Sequence, residues 1–397
     1  MRELNARHRK RISASLGAGA ILAAIAAPPA IARDIASTDR IAQLEARVVE
    51  LENRRATTGL RMSENTTLTF YGFAKGDFIY DRNHQLGDLT FGILGIDTDT
   101  PERSGTTLHA RQSRLGFITR TQTGMGELTA RVEGDFFGSG NAFRLRHAYG
   151  ELNGFLVGQT WNLFMPIESY PSTLDFQGPA GMPFARIAQF RYTHELSADT
   201  TLAVSLERDP AGFRTPILTG AASHSFGDAF VKVAALGRRI DHAAGTTNGW
   251  GVNLSGNAGL WEGGRIMGAY TEGRGIGSIM VFGNDAGLGV PNRTATDHSD
   301  VAGGFRAVRT RGLAVGVTHD LTEQFTAGLV LGQRRNGSNP GASAFDTERL
   351  SSVHATLTYR PVENLMTGVE VIYNERRQYD GGKVDNTRLQ VSTQFTF

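Results

Sequence analysis

The 397-residue sequence contains no cysteine. That excludes disulfides, thiolate metal sites and a cysteine nucleophile. Beyond the N-terminal segment it has no run of 20 apolar residues, which argues against helical membrane spans. Its ten histidines are scattered, and none stands at the H-x-x-x-H or H-E-x-x-H spacing of a zinc site. The glycines of "GRGIGS" lack the strand-then-helix context of a dinucleotide site, and "ATDHSD" (295–300) reads as a solvated loop. No catalytic residue, cofactor or metal is expected.

The N-terminus supplies an address. Arg2, Arg7, Arg9, Lys10 and Arg11 precede the apolar run Ile12 to Ala27, and Ala30-Ile31-Ala32 fits the small-x-small cleavage rule. Residues 1–32 are expected to be a secretory signal peptide. Removing its five basic residues and Glu3 takes Lys+Arg from 41 to 36 and Asp+Glu from 39 to 38, leaving a net charge of −2. The basic balance therefore belongs to the signal, and no nucleic-acid partner is implied.

Residues 34–55 carry a helical pattern. Ile41, Leu44, Val48 and Leu51 are spaced three, four and three residues apart, an a/d seam, with Glu and Arg on the other faces. The spacing predicts a short periplasmic coiled coil, too short to hold without an attached oligomer. The segment does not fix the oligomer number. Residues 56–65 read as a linker.

From Thr66 to Phe397 the texture changes to alternating stretches. In "ELTARVEGDFF", Leu128, Ala130, Val132 and Phe136 fall on one face, and Glu127, Arg131, Glu133 and Asp135 on the other. Leu389, Val391, Thr393, Phe395 and Phe397 form one face of the last stretch. Sixteen such stretches can be counted, among them 107–120 and 302–319. Short connections ("TQTGMG", "NG", "LSAD", "FGD", "HDLTEQ", "RPVEN") alternate with mostly longer ones, notably 82–106, 162–184, 275–301 and 336–348. That alternation predicts an up-and-down barrel over residues 66–397. Sixteen strands enclose a lumen too wide to fill with Ala, Gly and Val, so the apolar face must point outward to lipid and the polar face inward to water. Closure satisfies every backbone donor and acceptor, as hydrocarbon requires. The expected fold is an all-β, sixteen-stranded antiparallel transmembrane β-barrel with a short N-terminal helical coiled coil, in a bacterial outer membrane. The strand ending in Phe397 also resembles the signal read by the outer-membrane assembly machinery.

A pore breaks no bond, and its selectivity comes from the charges around it. On the wet faces, Arg114, Arg144, Arg146 and Arg191 fall on neighbouring strands, with Lys75 on the first. They are expected to form a basic ladder facing the lumen, with mutual neutralisation by Glu127, Glu133, Asp135 or Asp77 as the alternative, and the planar guanidinium fork suits carboxylates. Arg111 has the opposite parity to Arg114 and fits only if a bulge intervenes or it sits beyond the lipid edge. Residues 162–184 hold four prolines yet are too apolar for a free external tip. They are expected to fold inward as a constriction loop, with Tyr170 and Phe176 packing on the wall and Glu168 and Asp175 facing the ladder.

At "YGFAKGDFIYD", "ARQSRLGF", "RLRHAYGEL" and "LVGQTWNLFM" the sequence resembles the DcaP-like porins. The resemblance covers nearly the whole mature chain and is strongest over residues 66–195. It implies a homotrimer of sixteen-stranded outer-membrane channels with a periplasmic coiled coil. It also implies uptake of small anionic solutes, dicarboxylates and aromatic dicarboxylates such as phthalate among them. Two other classes compete. A lipase-like barrel would need a Ser/His pair at the lipid boundary, and no signature of one is present. An adhesin or envelope tether would work through the coiled coil, but some 330 residues are barrel.

Overall fold

The computed structural model describes residues 59–243, 245–282, 297–301, 304–337 and 346–397. The expected signal peptide, the helical segment with its seam Ile41, Leu44, Val48 and Leu51, and the first part of the linker lie outside them.

Sixteen strands follow one another around a ring. They are β1 (Thr66–Asp81), β2 (Gly105–His109 continued by Arg114–Thr123), β3 (Gly126–Asp135), β4 (Arg144–Leu152), β5 (Phe155–Trp161), β6 (Arg186–Glu195), β7 (Thr200–Glu207) and β8 (Ile217–Phe226). Then come β9 (Ala229–His242), β10 (Gly245–Trp261), β11 (Gly264–Arg274), β12 (Arg309–Asp320), β13 (Phe325–Asn336), β14 (Thr347–Val362), β15 (Leu365–Gln378) and β16 (Lys383–Thr396). Each pairs antiparallel with its chain neighbours. β16 returns to β1, in register from Phe73↔Thr396 to Asp81↔Arg388. The amides of Gly72 and Phe397 donate to each other's carbonyls at 3.2 and 3.0 Å, so the last residue locks the seam. At the β4–β5 turn, Asn153 and Gly154 take φ of 49° and 79°, the left-handed pair that a two-residue hairpin requires.

Two stretches expected to be continuous are broken. β2 is interrupted at residues 110–113, where Ser113 Oγ accepts from the amide of Lys75 at 3.0 Å. Arg111 sits in that break, pairing with Asp88 and donating to the carbonyls of Phe136 and Gly138. The interruption resolves its parity conflict. The expected stretch 302–319 begins as a strand only at Arg309. Gly304–Ala307 instead pairs with His298–Val301 in a separate hairpin. Between them, the Val308 amide donates to Asp297 O at 3.0 Å and its carbonyl accepts from Gly275 at 2.8 Å, so the loop base holds it rather than the ladder.

The faces are inverted relative to a water-soluble barrel. Val204 is 48% exposed and Leu254 54%, both outward, whereas the inward Asp77, Glu370 and Arg388 are inaccessible. An exposed apolar band running around every strand suits hydrocarbon, not water. The buried apolar clusters lie within the lumen and are built mainly from loops. Leu86, Leu89, Phe91, Ile93 and Leu94 pack with Phe137, Met182, Val281 and Phe282. Phe164 packs with Ile276, Ile279 and Met280 against Ile217 and Leu236 of the wall. Three connections thus fold inward at the long-loop end: 82–104, 162–185 and the first part of the β11–β12 connection.

Candidate pore constriction

The loop from β5 to β6 crosses the lumen because polar wall groups satisfy its backbone. Near its start, the Leu163 amide donates to Glu207 Oε1 at 2.7 Å, and Lys232 Nζ donates to Met165 O at 3.1 Å. Further along, the amides of Leu174 and Asp175 donate to Glu370 at 2.7 and 3.1 Å, and the Ala180 amide donates to Ser352 Oγ at 3.0 Å. Lys75 and Gln390 donate to Leu174 O at 2.8 and 3.2 Å. Buried backbone groups must be paired, so these contacts dictate the path. Gly181 seals the crossing. Its φ is +94°, and a Cβ there would stand 2.3 Å from Gln333 O and 2.7 Å from Leu313 O, so only glycine lets the loop lie on β12 and β13. A second infolded strand edge covers it: Val281 N donates to Met182 O at 2.7 Å, and Phe184 N to Ile279 O at 2.8 Å.

The loop carboxylates do not line up toward the arginines of the opposite wall. Glu168 lies 3.6 Å from Lys232 on β9. Asp175 is buried and accepts from Thr90 Oγ1 at 3.1 Å, which ties the β1–β2 loop to this one. It lies outside the spanning strands, and burial raises its carboxyl above the ordinary aspartate range.

The inner wall of β2 to β6 carries the cations. Arg144 grips Asp135 with two bonds of 2.9 Å. Arg146 donates to Glu133 Oε1 at 2.7 Å and to Asp135 Oδ2 at 2.9 Å. Arg131 donates to Glu133 Oε2 at 2.7 Å and to the Tyr71 hydroxyl at 2.6 Å. Arg114 opposes Asp135 in the β2–β3 register, but its guanidinium lies over Phe73 at 5.2 Å. Arg186 stacks on Trp161 at 4.7 Å and approaches Phe184 at 5.8 Å. Neither Arg114 nor Arg186 has a salt-bridged carboxylate among the described residues. Three of these five arginines share the two carboxylates Glu133 and Asp135, so the cluster has an excess of three positive charges.

Arg114, Arg144 and Arg146, expected in the ladder, do meet here. Arg191 stands apart, donating to Gln189 Oε1 at 3.0 Å and Trp161 O at 2.5 Å. Lys75 is engaged by Asp77 at 3.1 Å and by the loop. Alternation could not find Arg186, because it shares the outward parity of Phe190 and Tyr192. The β4–β5 ladder runs only from Leu152↔Phe155 to Ala148↔Gln159. Beyond it β4 and β5 are unpaired, and Arg186, still opposite Trp161 in the β5–β6 ladder, reaches the rings of Trp161 and Phe184 instead of lipid. Arg131 was visible on the wet face of its stretch, and only its convergence on Glu133 needed the structure.

Aromatic rings complete the site. Phe176 lies 4.6 Å from Phe137, and its face is 5.6 Å from Arg144 and 5.5 Å from Arg146. Tyr170 donates to Gln177 O at 3.2 Å, and its ring sits 5.9 Å from Phe184. A cavity of about 370 Å³ opens between Arg144, Arg186, Gln159, Phe176, Phe184 and Arg208. Flat rings beside guanidinium planes can sandwich a small planar anion, its ring stacked and its carboxylate gripped by a fork. No His, Asp and Glu cluster able to hold a metal occurs among the described residues.

Residues 43–397 match the family described as DcaP outer membrane protein. The fold is similar to the crystal structure of the outer membrane channel DcaP of Acinetobacter baumannii, with a TM-score of 0.75 at 22% identity over 86% of this chain and 100% of that one. It is also similar to OmpT of Vibrio cholerae in a trimer form, with a TM-score of 0.57 at 12% identity over 84% and 100% of the two chains. For an anion-selective porin from Comamonas acidovorans the TM-score is 0.56 at 11% identity, over 84% and 100%. The first of these is described as a channel and the last as a porin, neither of them an enzyme. No curated protein matches the sequence.

Proposed function

The chain belongs to the DcaP outer membrane protein family, and from that premise we propose that it is a passive outer-membrane porin favouring small anions, with dicarboxylates and aromatic dicarboxylates as preferred solutes. The observation that carries this reading is the cluster of five arginines around Glu133 and Asp135, three positive charges in excess, set against the ring faces of Phe137, Phe176 and Phe184. Fixed positive charge raises the local concentration of anions and lowers their entry barrier. Arg144 and Arg186 would hold carboxylates, and Phe176 and Phe184 would stack an aromatic ring. We further propose a homotrimer whose N-terminal helices, through Ile41, Leu44, Val48 and Leu51, form a coiled coil in the periplasm. The strand ending in Phe397 is the segment proposed to engage the assembly machinery.

Planar-bilayer recording tests the proposal. Under a potassium chloride gradient, the reversal potential is expected to take the sign of chloride selectivity, with conductance steps in threes. Phthalate added to one side is expected to interrupt the current more strongly than benzene-1,2-dimethanol, which has the ring without the charges. A cation-selective reversal potential, or equal interruption by both, overturns it.

A further inference from the structure

The outward face of β12 to β16 carries a second row of cations, at the long-loop end. The ladder places Arg311 opposite Arg335, Arg335 opposite Arg349, Arg349 opposite Arg377 and Arg377 opposite Lys383. Five positive side chains thus stand directly opposite one another on five successive strands. Like charges in this position repel, so such a row is unfavourable unless anions sit between its members. Their parity is the outward one, shared with the exposed Leu313, Leu331, Val353, Val371 and Leu389.

The acids nearby do not neutralise the row. Glu272 serves Arg309 and Arg311, Glu348 serves Arg335 at 3.1 Å, Glu375 serves Arg349 at 3.0 Å and Lys383 at 3.2 Å, and Asp385 lies 3.5 Å from Lys383. Counting Arg309, six cations face four carboxylates. Arg377 has no ion-pair partner among the described residues, and the Nε atoms of Arg349 and Arg377 are buried with no hydrogen-bond partner. A groove of about 590 Å³ is lined by Arg309, Arg311, Arg335, Glu348 and Tyr379.

Depth decides what anion belongs there. Two register steps nearer the short-turn end, the same face presents Val315, Leu331 and Val353 in one row. Each step is about 7 Å along a strand, so the cations lie roughly one headgroup layer above the start of the apolar band. We propose that this belt is a binding site for the phosphorylated headgroup of a lipid in the outer leaflet. Phosphate oxygens would bridge successive arginines, where bidentate donation and charge act together. The inference rests on the outward apolar face meeting lipid, and it is independent of which solute the pore selects.

The test uses the full-length mature protein in detergent, with purified lipopolysaccharide as probe, its enzymatically dephosphorylated form and inorganic phosphate as separate arms. Native mass spectrometry and thermal midpoints read the binding. Lipopolysaccharide is expected to bind and stabilise, the dephosphorylated lipid at least about tenfold more weakly, and inorganic phosphate not to substitute. The quadruple variant Arg311→Gln, Arg335→Gln, Arg349→Gln, Arg377→Gln is expected to lose at least about tenfold in affinity with unchanged single-channel conductance. If that variant does not fold, Arg335→Gln and Arg377→Gln separately are expected to lose severalfold each. Equal binding of the dephosphorylated lipid, unchanged affinity in the variants, binding satisfied by inorganic phosphate, or cross-links placing a second copy of the chain on the belt would each overturn the proposal.

Discussion

Two arginine arrays occupy opposite faces of one sheet. On β2 to β6, Arg146 is 2% exposed, touches two carboxylates and stacks near Trp161 and Phe176. On β12 to β16, the Arg335 side chain is 62% exposed and has one carboxylate contact, at 3.1 Å. The residue type is the same, and for every member but Arg186 strand parity decides which phase it meets. Burial then decides what each pair contributes. Removing one partner of a buried pair strands a charge, whereas an exposed pair is weakened by solvent and salt. The largest effect expected follows. Glu133→Gln, which leaves Arg131 and Arg146 short of a carboxylate, should cost about 3 kcal/mol in denaturant unfolding of the reconstituted protein. Glu348→Gln, on the outer array, should cost under ~1 kcal/mol. Equal costs would mean that the inner array is bathed in pore water, and the contrast would disappear. Glu133→Gln should also strengthen anion preference, so stability and selectivity move in opposite directions at this one position.

A second contrast separates field from contact. Arg114 and Arg186 have no salt-bridged carboxylate among the described residues, and they add positive charge to the field inside the constriction. The double change Arg114→Gln, Arg186→Gln should lower the anion-to-cation permeability ratio about threefold, the consequence of removing two unit charges from the constriction wall of a largely aqueous pore. Arg311→Gln with Arg335→Gln removes the same formal charge from the outer face. Its effect on the reversal potential should be negligible at 0.15 M salt, where screening acts within about 8 Å. A shift of similar size in both would place the two arrays on one conduction path.

The contrast also explains what the sequence made legible. Period-two alternation was visible in all sixteen stretches because each strand has one oily and one wet face, as in "ELTARVEGDFF". Parity alone located Arg144 and Arg146. It failed at two places: Arg186 has outward parity yet reaches Phe184 of the infolded loop where β4 and β5 part, and Arg111 sits in the break of β2. The infolding of 162–184 was readable from its apolar content. The same signal was present, unread, in "LTFGILG" and "IGSIMVF", whose side chains also fill the lumen. The outer belt was invisible because Arg311, Arg335, Arg349 and Arg377 are far apart in the chain. Only the register of five strands brings them into one row.

The smallest effect expected concerns the loop that faces the inner array. Asp175 is fully enclosed, and desolvation raises its carboxyl despite the opposing pull of Arg388, His354 and the Thr90 hydroxyl. The folded state therefore holds its proton more tightly than the unfolded chain does. Below the ordinary aspartate value of about 4, both states are protonated and the burial of this group carries no ionisation penalty. As pH rises through the window between that value and the raised one, the unfolded chain sheds the proton first, and stability is lost. Above the window the penalty is complete. Asp175→Asn removes the ionisation while keeping an oxygen for Thr90 to donate to. At pH 7.5 it should raise the thermal midpoint by about 2 °C, with the gain shrinking toward zero at pH 3.5. A gain that persists at acid pH would show that the side chain acts through packing. A loss at neutral pH would show that the carboxylate is held ionised by Arg388, making the loop part of the charged wall instead of a neutral cover laid upon it.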